Sequence, residues 1–180
     1  MQSSNKRSVK GFTLIEMLVV VAIIAVLSGI TVGGFALVSR QQDLKKAKLQ
    51  IELLQLKLED YKLENGDYPE SLSAVGEGQT QVIYKALFPI EEDAKIYLDQ
   101  LDPDNDTQGW LGRQEAEDNV GEGLVIYDPW GNEYYYRTSP NSANPDFDLW
   151  SAGPDGETLA SGGGGYDNDA DENLDDVRGW

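Results

Sequence analysis

The sequence predicts an α+β chain: a long N-terminal helix, its first half apolar and its second half amphipathic, packed on a small antiparallel β-sheet with an acidic C-terminal loop. Three observations predict it. Twenty-three uncharged residues separate Glu16 from Arg40. Beyond Arg40, Leu44, Ala47, Ile51, Leu54, Leu58 and Tyr61 recur at spacings of three and four, which is one stripe of an amphipathic helix. Three runs rich in aromatic and β-branched residues, Leu124–Tyr127, Tyr134–Arg137 and Phe147–Trp150, alternate with Pro/Gly/Asn turns, the pattern of short antiparallel strands.

As a helix, the uncharged run covers about 35 Å, enough to cross a hydrocarbon core of about 30 Å. It is apolar on every side, unlike a soluble core helix. Lys6, Arg7 and Lys10 precede it with no acid among them, which predicts a cytoplasmic N-terminus and an exported C-terminal bulk. The stretch is too long for an ordinary secretory leader. Glu16 is out of place in a plain anchor, because a carboxylate at the bilayer edge costs roughly 2–3 kcal/mol and is usually paired and functional. Gly29 and Gly33 form a small-xxx-small pair suited to close helix approach.

The amphipathic stripe is a face for packing on a sheet. Asn65-Gly66, followed by Pro69, predicts the helix end, since both residues tolerate the left-handed conformation of a C-cap. A short helix is expected around Val82–Phe88. Asp102-x-Asp104-x-Asp106 has calcium-loop spacing, but Thr107 and Arg113 stand where an EF-hand needs Gly and Glu, so this run reads as a solvated loop. Leu124–Tyr127 and Tyr134–Arg137 are expected to pair as a hairpin around Asp128-Pro-Trp-Gly-Asn, with Phe147–Trp150 as the third strand. Alternation places some tyrosines of the sheet inward and others outward.

Charge and composition narrow the function. Fourteen Lys and Arg against 32 Asp and Glu give a net charge of −18, with no histidine and no cysteine. That balance argues against nucleic acid as a partner. It also removes Ser-His-Asp and Cys-His catalysis and thiolate or imidazole zinc sites. No pair of acids sits in a recognisable catalytic frame, so the chain is not expected to be an enzyme. The tail is the most acidic part, with eight carboxylates and no basic residue from Asp155 to Asp176. A free acidic tail and a calcium loop both fit this composition.

The stretch "GFTLIE" resembles the leader of type IV prepilins. That resemblance implies cleavage between Gly11 and Phe12 by a prepilin peptidase and methylation of the new amine on Phe12. Glu16 then becomes the fifth residue of the mature chain, and it is expected to pair with the Phe12 amine of a neighbouring subunit. "LENGDYPESL", "DPWGNEYYYR", "DFDLWSAGPDGE" and an Asp-Ala-Asp near a terminal Trp are similar to the major pseudopilins of type II secretion. The resemblance implies a type IV pilin-like fold and a homopolymer, the pseudopilus, that drives folded proteins out of the periplasm. Its partners would be minor pseudopilins, the peptidase, an inner-membrane assembly platform and, before assembly, membrane lipid. It further implies one Ca2+ held by Asp155, Asp169, Asp171 and the carbonyl of Ala152, with Asp167 as a further candidate. The chain then divides into a leader (1–11), a membrane and filament-core helix (12–39), an amphipathic helix (40–66), a variable region that looks like an insertion over 70–123 (67–123) and a sheet with its calcium loop (124–180). The alternative within the same superfamily is a type IV pilin for adhesion, motility or DNA uptake. That group usually carries a C-terminal disulfide, which this chain cannot form.

Overall fold

A computed structural model describes residues 12–71, 80–91, 93–106, 108–111, 124–159 and 166–180, with backbone alone over 30–38. The leader, with Gly11, lies outside the described residues, as do the glycines at 162–165. The chain divides into two compact units, Met1–Gln41 and Gln42–Trp180. Helix α1 is Leu14–Asn65.

In the first unit every described side chain of α1 up to residue 29 is exposed, among them Leu14, Ile15, Leu18, Ile23, Ile24 and Leu27. Apolar side chains bare on all sides belong against lipid or other helices. Among the described residues no helix is long and apolar enough to cross a membrane; residues 30–38 of the uncharged run fall outside that description. Nothing approaches Gly29 within 4 Å, and the surroundings of Gly33 lie outside the described residues.

The second unit holds the core. Ala47, Ile51, Leu54 and Leu58 are fully buried and Tyr61 is half-buried, so the stripe faces inward as its spacing requires. The helix ends where expected. Gly66 takes φ +93°, its N–H donates to the Lys62 carbonyl at 2.8 Å, and Asn65 Nδ2 donates to the Tyr61 carbonyl. Helix α2, Thr80–Leu87, buries Ile83, Tyr84 and Leu87.

The sheet has three antiparallel strands in the order β1 (Tyr134–Thr138), β2 (Phe147–Ser151), β3 (Val177–Arg178). Tyr134 faces Ser151, Thr138 faces Phe147 and Ser151 faces Val177. Tyr134 and Tyr136 are buried in the core, and the Tyr134 hydroxyl donates to Gln50 Oε1 on α1 at 2.7 Å. Tyr135 points to the other face and stacks on Trp150 at 5.1 Å. The alternation of tyrosines is therefore as expected.

One strand is not. Leu124–Tyr127 is no member of the sheet; it makes isolated bridges, Leu111 with Ile126 and Tyr127 with Glu133. The chain reverses at Asp128–Asn132, but the backbone N–H of Ile126 goes to Thr80 Oγ1 and that of Tyr127 to the Trp110 carbonyl. Those donors are taken by α2 and by the 110 loop, so no ladder forms. The third strand is instead β3, from the acidic tail.

Candidate functional site

Two places concentrate the residues singled out by sequence. At the start of α1, Phe12 is exposed. Thr13 and Glu16 close a reciprocal cap: Thr13 N and Oγ1 donate to Glu16 Oε2 at 2.8 and 2.7 Å, and Glu16 N donates to Thr13 Oγ1 at 3.3 Å. Thr-x-x-Glu is the capping-box spacing. It satisfies donors that the first helical turn leaves without partners. The motif was legible in "FTLIE", and reading Glu16 for its charge alone missed it. Glu16 Oε1 makes no hydrogen bond among the described residues, so it can take a second donor without loss of the cap.

The second place is the C-terminal loop. Asp128 is buried, and its Oδ1 accepts from Trp130 N at 3.0 Å and Asn132 N at 2.8 Å. Its Oδ2 accepts from Ser151 Oγ at 2.6 Å. Burial raises its carboxyl pKa above the ordinary value, against these hydrogen bonds, which lower it. Asn132 Nδ2 donates to the Gly153 carbonyl at 2.8 Å. The turn "DPWGN" thus holds the turn "SAGPDG". On the other side, a Cβ on Gly153 (φ +67°) would sit 2.5 Å from the Asp175 carbonyl oxygen, so only glycine permits that approach.

The expected calcium residues are placed as follows. Ala152 is fully buried beside this turn. Asp155 is exposed, and its Oδ1 accepts from Glu157 N at 2.9 Å. Asp167 is half-buried and accepts from Asp169 N at 2.9 Å. Asp169 and Asp171 are exposed, and Asp171 opens a 3-10 turn over Asp171–Asn173. Among the described residues no three acids are gathered as a ready-made metal cluster. The carboxylate closest in character to a ligand is one that the sequence reading passed over, Asp176. Its Oδ2 accepts from Thr158 Oγ1 at 2.7 Å, and its Oδ1 is buried without a hydrogen-bond partner among the described residues. The Tyr166 hydroxyl lies close by but donates to the Asn173 carbonyl at 3.0 Å. Burial pushes the Asp176 carboxyl up to about 6 against the hydroxyls of Thr158 and Tyr166, which lower it, and Asp175 and Asp155 add repulsion. A buried anionic oxygen without a donor, near two further carboxylates, is a donor set that suits a hard cation.

The tail around it is folded. Asn173 is buried and pins it: Oδ1 accepts from Leu159 N at 2.7 Å, while Nδ2 donates to the carbonyls of Leu159 at 2.8 Å and Asp167 at 2.7 Å. Tyr166 and Trp150 meet edge to face at 5.4 Å. The acids of the 102–106 run serve as turn caps. Asp102 accepts from Asp104 N and Asp106 from Trp110 N and Leu111 N, in keeping with an ordinary loop.

Residues 6–32 match the prokaryotic N-terminal methylation motif, and residues 101–173 match the model of type II secretion system protein G. The type II secretion system core protein G of Pseudomonas aeruginosa is 34% identical over 168 residues, 93% of this chain and 95% of that protein. The chain belongs to this family, the major pseudopilins. The core protein G of Escherichia coli is 31% identical over 157 residues, 87% of this chain and 88% of that protein. That of Vibrio cholerae is 28% identical over 158 residues. A major pseudopilin is a structural protein of type II secretion and not an enzyme. Membership implies an inner-membrane and periplasmic location and assembly with the secretion machinery. The family match begins at residue 101, so it takes in 101–123, part of the stretch that reads as an insertion.

Proposed function

We propose that the chain is cleaved between Gly11 and Phe12, methylated on the Phe12 amine, held in the inner membrane by residues 12–39 with its C-terminal unit in the periplasm, and polymerised into a pseudopilus. Prepilin peptidase, the assembly platform, minor pseudopilins and membrane lipid are its partners in turn. The observation that carries this reading is the joint occurrence of the leader match over residues 6–32 and the Glu16 carboxylate at the helix start with one oxygen free. A neighbouring Phe12 amine bound at that oxygen neutralises two charges that are costly in a medium of low dielectric, and so sets the axial register. Intact-mass measurement of the chain from cells with an active peptidase should give a polypeptide that begins at methylated Phe12. A mass that retains residues 1–11 overturns the reading.

One Ca2+ in the C-terminal loop is part of the same proposal. Asp155 and the Ala152 carbonyl are its ligands on one side. Asp169, Asp171 and Asp167 are the acids that the family resemblance supplies on the other, and Asp176 joins them on the strength of its partnerless Oδ1. When bound, the cation neutralises the carboxylates and cross-links a loop that has no disulfide. Chelator should lower the melting midpoint of the full chain in micelles, and calcium should restore it.

A further inference from the structure

The outer side of α1 carries a groove of about 340 Å³ that neither the fold nor the ion site uses. Leu49, Leu53 and Trp110 form its apolar part, and Lys45, Lys46 and Gln50 border it. Lys45 is exposed and makes no ion pair among the described residues, while Lys46 leans on the Gln108 carbonyl. Leu49 remains 65% exposed. The groove therefore asks for an apolar side chain carried on an acidic segment.

The same chain displays such a segment. Leu174 is 84% exposed, in the middle of the tail, with exposed Asp169, Asp171 and Glu172 before it. The pinning of Asn173 at three points holds this leucine outward as a fixed knob. Among the described residues, the tail of one copy does not enter its own groove. The tail reaches α1 through Gly179, whose carbonyl accepts from Gln55 Nε2 at 2.9 Å, and a Cβ there would touch Ile51. At about 100° per residue, Ile51 and Gln55 lie roughly opposite the groove positions Gln42, Leu49 and Leu53 around the helix.

We propose that the Leu174 knob and its acids seat in the Lys45–Leu49–Trp110 groove of a second copy of this chain. Knob and groove are different surfaces, so the contact is heterologous and propagates into an open fibre instead of closing as a dimer. Acids on the knob meet lysines at the groove rim, and the leucine covers the exposed Leu49. This rests on the filament reading above and names one surface within it.

Because the chain has no cysteine, introduced thiols report without background. Full-length chains carrying Leu49→Cys, Leu174→Cys or both are expressed with the secretion machinery and oxidised on whole cells. The double variant should give a disulfide ladder to tetramers and beyond, while each single variant should not ladder. Wild-type filaments and secretion intact, with the double variant assembled but still monomeric on a non-reducing gel, overturn the inference and leave the filament reading standing. Cross-linked dimers from Leu49→Cys alone overturn it too, since the groove would then face its own counterpart. If the double variant fails to assemble, charge exchange decides: Lys45→Glu should reduce polymer by about fivefold and Glu172→Lys in the same chain should restore it, and no recovery counts against the contact. Loss of filaments in the wild type itself would instead sink the filament reading.

Discussion

Asn173→Ala is the sharpest probe of the C-terminal loop. The substitution removes three hydrogen bonds of 2.7–2.8 Å and leaves the N–H of Leu159 without its acceptor. At roughly 0.5–1.5 kcal/mol net for each bond, the full loss is about 2–4 kcal/mol. Leu159 is 48% exposed, so its freed groups regain water, and about 2–3 kcal/mol is the expected cost. For a unit the size of Gln42–Trp180, each kcal/mol moves the midpoint by about 3–4 °C, which gives a fall of about 6–12 °C. The assay is tryptophan fluorescence of the full chain in micelles on heating, since Trp150 and Trp180 both pack edge to face on Tyr166. Asn168→Ala is the control: it loses one exposed bond from Arg178 and should stay within about 0.5 kcal/mol. An Asn173→Ala midpoint within about 3 °C of wild type would refute the claim that this side chain pins the tail.

Four further outcomes follow from named contacts. Gly153→Ala should cost more than Gly156→Ala in a urea melt. Both glycines have positive φ, but the first also drives a Cβ to 2.5 Å from the Asp175 backbone, whereas the second meets the Asn132 side-chain oxygen at 2.9 Å, which can yield by giving up its bond to the Gly153 carbonyl. Thr13→Ala should cost about 1 kcal/mol of helix start, read as faster amide exchange over residues 14–17, and leave the exchange of residues 47–58 unchanged. The raised folded-state pKa of Asp128 means that the folded chain binds its proton first. Wild type should therefore gain stability relative to Asp128→Asn as pH falls from 7 through that pKa, and lose it as pH rises; urea midpoints at a series of pH values read the sign. Asp176→Asn should cut the midpoint shift caused by adding calcium at least by half, and an unchanged shift would remove Asp176 from the ligand set.

What was legible in the sequence is what depends on period and on local turn chemistry. The 44–61 stripe, the Asn65-Gly66 stop and the alternation of Tyr134, Tyr135 and Tyr136 are set by residues close together in the chain, and each stands as its pattern requires. The failures are long-range. Leu124–Tyr127 has strand composition, yet its donors are claimed by Thr80 and Trp110, 46 and 17 residues away in sequence. β3 is two residues long and directly follows two aspartates in an acidic run, so composition marks it as tail. Asn173 and Asp176 carry no local signal, because their partners at 158–159 and 167 are brought to them by the loop as a whole. Asp-Ala-Asp drew attention through its spacing, while the oxygen that burial leaves without a donor belongs to an acid five residues further on.

The acidity of this unit has a structural use that composition conceals. Asp102, Asp106, Asp128, Asp148, Asp155 and Asp167 each accept at least one backbone N–H, and Asp148, fully buried, takes those of Ala143, Asn144 and Tyr166. Carboxylates fix the turns in a chain that has neither disulfides nor a large sheet. That solution gathers negative charge wherever turns meet, and at the junction of the Asp155 turn with Asp175 and Asp176, burial and repulsion outweigh the hydroxyl donors that Asp176 has. Asp176 Oδ1 is the one buried carboxylate oxygen without a partner among the described residues. A divalent cation bound there would relieve the charge that the turns accumulate, and would fix the Asn173–Leu174 segment from which the fibre contact is drawn. Ion binding and polymerisation are then linked through one short stretch of tail, so calcium should tighten the Leu49–Leu174 cross-link in addition to raising the melting midpoint.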